Sequence, residues 1–371
     1  MSAVTPKSEV QAMFKGTKIL LPDIPSTLPG WRVTEREDCS PYVKEAINSW
    51  AKRFVARPYC LKTPYCVYMT SNSPYSISQD EVFLKKTAAA KFGLVAQFLY
   101  PDGDEEALAT IACFYAWVWA WDDVFDTQFE GVDSMQIREE TTLNFEYLLA
   151  DPPGAKPSVV SPLNSSFSWF AGRVKNKMCK EPRERLLRGL KEFVHNVTSW
   201  YGRQDDNVPT LSEYYVMRRE CVGVSPTIDL IEYCYGLDIP PTMVGHRAFQ
   251  QILERTRDIV MISNDMVSLA RELRAGHVDN IVSVLAYHEG MGPQEAMDHA
   301  AVLLRQAHAD FESAERDLPL PSGNDTSDEE VRKFVLGCKD ICAGLMKWSN
   351  YTGRYFGENP TYEDGKILVR F

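Results

Sequence analysis

The chain has 371 residues, 44% of them hydrophobic, and a formal net charge of −11. That length supplies a large core and admits one large or two ordinary domains. The acidic balance excludes the basic face of a nucleic-acid binder, and no run approaches the ~18 uncharged apolar residues of a membrane span.

Residues 1–40 are rich in proline and polar residues and weakly periodic, which predicts an arm with little regular structure. Near the N-terminus no apolar stretch follows the basic residues, and Glu9 intervenes, so no secretory signal or transit peptide is expected and the cytoplasm is the expected location. Nine cysteines without a Cys-x-x-Cys pair then read as reduced, small apolar residues.

From residue 41 to 371 helical spacing takes over. Apolar residues recur at i, i+3 and i+4 over Tyr42–Val55 and Gln79–Leu99, and Glu105–Asp126 reads as a long, very apolar helix. Further helices are predicted at 133–150, 164–178, 181–202, 210–222, 225–236, 243–274, 279–289, 293–315 and 327–355. Breakers mark short loops between them, such as Pro152-Pro153-Gly154 and Leu318–Gly323. Period-two strands are not evident. The expected architecture is a single all-α domain over 41–371 with the arm folded on it.

Two segments carry chemistry. The first is Asp122-Asp123-Val124-Phe125-Asp126, three carboxylates on one helical turn behind the apolar run Phe114–Trp121. Such crowding destabilises a helix unless a cation relieves it, although acids at a solvated helix end are the plain alternative. The second is Asn264, Ser268 and Glu272. At ~100° per residue, steps of four keep an amide, a hydroxyl and a carboxylate on one stripe. Oxygen-only donor sets suit Mg²⁺, which usually bridges to phosphates. Two such sets imply several ions clamping one polyphosphate, with the positive charge that the acidic chain lacks supplied locally by the metal.

Taken together, these motifs resemble those of the class I terpene synthases, in particular the microbial, fungal-type sesquiterpene cyclases. The aspartate-rich DDxxD motif matches Asp122, Asp123 and Asp126. The NSE triad matches Asn264, Ser268 and Glu272, with Arg271 at its basic position. An Arg-Tyr pair preceded by a tryptophan matches Arg354-Tyr355 and Trp348. The diphosphate-sensing arginine falls on Arg218 by spacing from the triad and on Arg219 by local pattern; Arg219 is favoured, with Gly223 as the effector whose carbonyl the family uses.

The resemblance implies an all-α, single-domain isoprenoid synthase bundle around a central apolar cavity, with the two motif helices facing each other. It also implies a lyase that ionises an allylic prenyl diphosphate, foremost farnesyl diphosphate, and cyclises the cation. The implied cofactor is Mg²⁺, three ions, with Mn²⁺ able to substitute. The substrate is the implied partner; no nucleic acid and no membrane span are expected, and a monomer and a homodimer both stay open. Trp348, Phe92, Phe114 and Trp119 are candidates for stabilising the cation through their π faces. C10 and C20 substrates are the alternatives, with a chain-elongating transferase disfavoured because it needs a second aspartate-rich motif.

Overall fold

The computed structural model describes residues 5–55, 87–126, 134–158, 160–201, 206–320, 326–357 and 360–371; at 53–55, 123–126, 134, 201 and 326 it describes the backbone alone. The described residues fall into two units: Met1–Val33, Arg203–Val224 and Ile239–Phe371 form one, Thr34–Gly202 and Ser225–Asp238 the other. No described helix is long and apolar enough to cross a membrane.

The second of these units is built on the Glu105–Asp126 helix, hereafter the aspartate helix. Helix geometry sorts its aromatic residues. Trp117 and Trp121, four apart, are fully buried among Phe145, Phe167 and Phe193. Each indole finds an acceptor: Trp117 donates to the Leu163 carbonyl at 3.0 Å and Trp121 to the Thr141 hydroxyl at 3.1 Å. Trp119 projects from another side of the helix, meets Tyr115 and Phe92, and is only partly buried, as are its neighbours Val118 and Ala120. Around this helix run Pro41–Val55, Phe92–Leu99, Ser134–Leu149, Ser168–Lys177, Lys180–Tyr201 and Val224–Tyr235. Of the expected helix over Gln79–Leu99, residues 79–86 lie outside the described residues; Lys91, at φ +54°, then turns the chain before Phe92.

In the first unit the central element is Arg247–Arg274, the triad helix, which packs on Pro293–Arg316 and Thr326–Tyr351. Its start is displaced from the expected 243 because Gly245 closes a short Pro241–Val244 turn and His246 caps the new helix, its Nδ1 accepting from the Ala248 amide at 3.2 Å. Its end is a Schellman motif. The His277 amide bonds the Glu272 carbonyl at 2.9 Å and the Gly276 amide the Leu273 carbonyl at 3.1 Å. Gly276 takes φ +85° there, a conformation open to glycine at little cost. Likewise, the expected helix over 327–355 divides where Thr352 caps a separate turn, Gly353–Phe356, carrying Arg354 and Tyr355.

The N-terminal arm differs from its expectation. Thr5 and Ser8 form a reciprocal capping box, Pro6 starts the Pro6–Phe14 helix, and Lys18–Leu20 is a strand. That strand pairs antiparallel with Lys366–Arg370, Ile19 opposite Val369, and Tyr362–Glu363 pairs on the other edge of Lys366–Arg370. Strands of two to five residues are too short to show a period, and their partner lies at the far end of the chain.

Candidate functional site

The triad helix carries a polar stripe on an otherwise apolar rod. Ile259, Val260, Met261, Ile262, Met266 and Leu269 are buried, which fixes the helix rotation and so the direction of Asn264, Ser268 and Glu272. Asn264 is held at both ends: its Oδ1 accepts from Arg218 at 3.1 Å and its Nδ2 donates to the Tyr355 hydroxyl at 3.0 Å. Glu272 Oε2 accepts from Asn280 Nδ2 at 2.8 Å. Ser268 is buried, and its hydroxyl has no hydrogen-bond partner among the described residues.

A buried hydroxyl without a partner costs about 1–3 kcal/mol, a cost that a ligand bound at that point would offset. An amide oxygen with a second lone pair, an unsatisfied hydroxyl and a carboxylate on one stripe fit the oxygen donor set of a hard divalent cation.

Arg218 and Arg219 end the Leu211–Cys221 helix, which Thr210 and Glu213 start with a capping box. They face different partners. Arg218 reaches Asn264 and, through Nε and Nη2 at 3.2 and 3.1 Å, the carboxylate of Asp265. Arg219 forks onto buried Asp258 at 2.5 and 3.0 Å, pairs with Glu254 at 2.9 Å and lies 5.2 Å from the Tyr215 ring centre. Gly223, in the left-handed region at φ +73°, separates this helix from Val224–Tyr235.

Asp265 is the polar hub of the site. Its Oδ2 accepts from the Tyr214 hydroxyl and from the Ile281 amide, the latter at 2.8 Å, while Oδ1 faces Arg218. Full burial pushes its carboxyl well above the usual range, Glu272 adds to that, and the Ile281 amide opposes it. The Tyr355 hydroxyl is also raised, first by burial; Arg354 and Arg271 pull the other way, Glu272 pushes up again and the Asn264 contact lowers it. Arg271 and Glu272 on the triad helix, and Arg354 next to Tyr355 in the chain, are thus the charged groups that act on this phenol.

The structure therefore gathers Asn264, Glu272, Arg218, Arg271, Arg354 and Tyr355, with Ser268 on the same helix. Trp348 is fully buried, edge-on to Tyr355 at 6.2 Å. In the other unit, Asp122 is partly buried on the last turns of the aspartate helix, while the Asp123 and Asp126 side chains lie outside the described residues. The Phe92 ring lies tilted against Trp119 at 5.2 Å, and Phe114 stacks on Phe170 at 4.8 Å within the aromatic core. Tyr214 and Asn280 were not among the expected residues. Asn280 carries a readable signal, an asparagine directly before an apolar helix; Tyr214 carries none, because its acceptor lies 51 positions away.

Two comparisons decide the family. The profile described as terpene synthase family 2, C-terminal metal binding, matches residues 113–310. Terpene cyclase 4 of Gibberella fujikuroi is 31% identical over 260 residues, 70% of each chain. The chain belongs to the terpene synthases. It is thus a carbon–oxygen lyase whose substrate is a prenyl diphosphate and whose cofactor is a divalent metal ion. Among other relatives of this terpene synthase, sesquiterpene synthase Agr1 of Cyclocybe aegerita is 28% identical, covering 72% of this chain and 75% of that one. Germacradien-4-ol synthase from Streptomyces citricolor superposes with a TM-score of 0.65 at 19% identity, covering 86% of this chain and 99% of that one. The shared fold is the all-α class I terpene synthase fold.

Proposed function

We propose that the protein is a Mg²⁺-dependent sesquiterpene cyclase. It breaks the allylic C–O bond of farnesyl diphosphate, the electron pair leaving with the diphosphate, and closes the cation into a cyclic C15 product. One observation carries the reading: a buried Ser268 hydroxyl, without a partner among the described residues, shares a stripe with Asn264 and Glu272, beside Arg218 and the Tyr355 phenol. The relative named a sesquiterpene synthase supports the C15 chain length.

Asn264, Ser268 and Glu272 would hold metal, and Asp122, Asp123 and Asp126 are proposed as the second set from their motif. Mg²⁺, three ions by analogy with the family, supplies when bound the positive charge that draws off the leaving diphosphate. Arg271, Arg354 and the Tyr355 hydroxyl would donate to diphosphate oxygens. Arg218 is proposed as the diphosphate sensor in preference to Arg219, because Arg218 touches Asn264 whereas Arg219 is locked on Asp258 and Glu254. Gly223, at the break after that helix, would act as effector. Trp348 and the Phe92–Trp119 pair are proposed to face the cation; the packing of Phe114 on Phe170 favours a core role for it.

Incubation with geranyl, farnesyl and geranylgeranyl diphosphates, each with Mg²⁺ or with chelator, followed by gas chromatography, tests the reading. A cyclic C15 product only with farnesyl diphosphate and Mg²⁺ is expected. Asn264→Ala should lower its yield at least ~100-fold, and Arg218→Lys should cost more in diphosphate affinity than Arg219→Lys. No C15 product at saturating metal, or product only after adding isopentenyl diphosphate, would sink it.

A further inference from the structure

Asn280 is fully buried in the turn that follows the triad helix. Three of its four side-chain hydrogen-bonding positions are directed inward. Its Oδ1 accepts from the Val282 amide at 3.0 Å and so caps the Ile281–Glu289 helix. The two hydrogens on Nδ2 go to the triad helix, one to the Asp265 carbonyl at 2.9 Å and one to Glu272 Oε2 at 2.8 Å. A cap needs only the oxygen. The nitrogen has a separate task.

Resting on the reading of Glu272 as a metal ligand, we infer that Asn280 is a positioning residue that holds the Glu272 carboxylate ready for the cation. Three torsions separate a glutamate carboxylate from its backbone, so an untethered one is ordered only when metal arrives. The Asn280 bond fixes Oε2 beforehand. The same amide is anchored two turns back on the Asp265 carbonyl, so it reports the geometry of the helix itself. Its neutrality matters equally. A lysine or arginine here would cancel the charge that the cation needs, whereas a carboxamide orients the carboxylate and leaves its charge intact. The Gly276 turn makes this possible, since its left-handed φ reverses the chain and brings Asn280 back alongside Glu272.

The test separates cap from tether. Asn280→Asp and Asn280→Ser both keep a capping oxygen and lose the two Nδ2 hydrogens; aspartate also adds a like charge beside Glu272. Calorimetric titration of Mg²⁺ into each protein at fixed inorganic diphosphate reads metal affinity, and melting in chelator reads the fold. Mg²⁺ affinity is expected to fall ~10–100-fold for Asn280→Ser, and further for Asn280→Asp, with the serine variant melting close to the parent protein without metal. Unchanged Mg²⁺ affinity in the folded serine variant overturns the inference. Glu272→Ala is the control for the underlying reading: if it too leaves Mg²⁺ affinity unchanged, Glu272 is no ligand, whereas weakening by Glu272→Ala alone defeats only the tether. Should neither Asn280 variant fold, a structure of the unaltered protein with Mg²⁺ and diphosphate decides. Glu272 on the metal while still bonded to Asn280 supports the inference, and Glu272 on the metal but released from Asn280 refutes it.

Discussion

Ser268 sets stability against function on one atom. Its hydroxyl is buried and has no partner among the described residues, which return no hydrogen bond for its desolvation cost. Ser268→Ala is therefore expected to leave the metal-free melting temperature unchanged or raise it, by up to ~1 kcal/mol of stability, while lowering product formation ~100-fold or more. Calorimetry in chelator and steady-state assays with Mg²⁺ check the two halves. A clear loss of metal-free stability would mean that the hydroxyl has a structural partner, and the metal-ligand role would lose its best support. The two arginines next to each other make a related point. Identical side chains one position apart reach different acceptors, because a ~100° step on their own helix turns Arg219 away from Arg218, toward Asp258, which lies seven residues before Asp265 on the triad helix. Sequence spacing could place either at the triad; only the rotation of the Leu211–Cys221 helix distinguishes them.

The helices themselves are readable where period and breakers agree: Glu105–Asp126 has the expected bounds, and the helix expected over 210–222 is Leu211–Cys221, capped by Thr210 rather than by Ser212. The arm is not, although Thr5-Pro6 is a start signal, because its order comes from contacts far along the chain. Trp31 packs between His308 and Phe311, each 4.8 Å away, and donates to Glu312 at 2.6 Å; Arg32 forks onto buried Asp340 at 2.7 and 2.5 Å. Trp31→Ala should cost about 3 kcal/mol, read by denaturant unfolding.

This anchor should also weaken in acid. Burial holds the His308 pKa below its ordinary 6.5, so the stability tied to the neutral ring is present above pH 6.5 and is lost as pH falls below it. Burial would raise the Glu312 carboxyl, but Trp31 and Lys339 outweigh it and hold it below 4.5, so its share is lost at still lower pH. Both losses run in the same direction. Proteolysis within residues 5–33 should accelerate from pH 7 to pH 5 in the parent protein and depend less on pH in Trp31→Ala; equal pH dependence in the two would disprove the anchor's part.

A chain of net charge −11 that binds a diphosphate faces long-range repulsion, and the cations near the triad are few and local. Metal and diphosphate are thus expected to stabilise the fold together. At a concentration ~100 times Kd the gain is about 2.7 kcal/mol, which is several degrees of melting temperature, whereas diphosphate in chelator should give almost none. A full shift without metal would assign the binding to the arginines alone.

The pairing of Lys18–Leu20 with Lys366–Arg370 has a further consequence. The Phe14 ring lies 5.5 Å from that of Phe371 and the Gly16 amide donates to the Phe371 carbonyl at 3.1 Å, while at the other end the Leu21 amide donates to the Ile367 carbonyl at 2.9 Å, so the stitching extends past the ladder on both sides. Val33–Asp38, by contrast, is an exposed stretch without regular structure. A single cleavage there would sever the covalent link but leave the released peptide clasped by its strand and by Trp31. The two fragments would travel together on a sizing column and part only under denaturant.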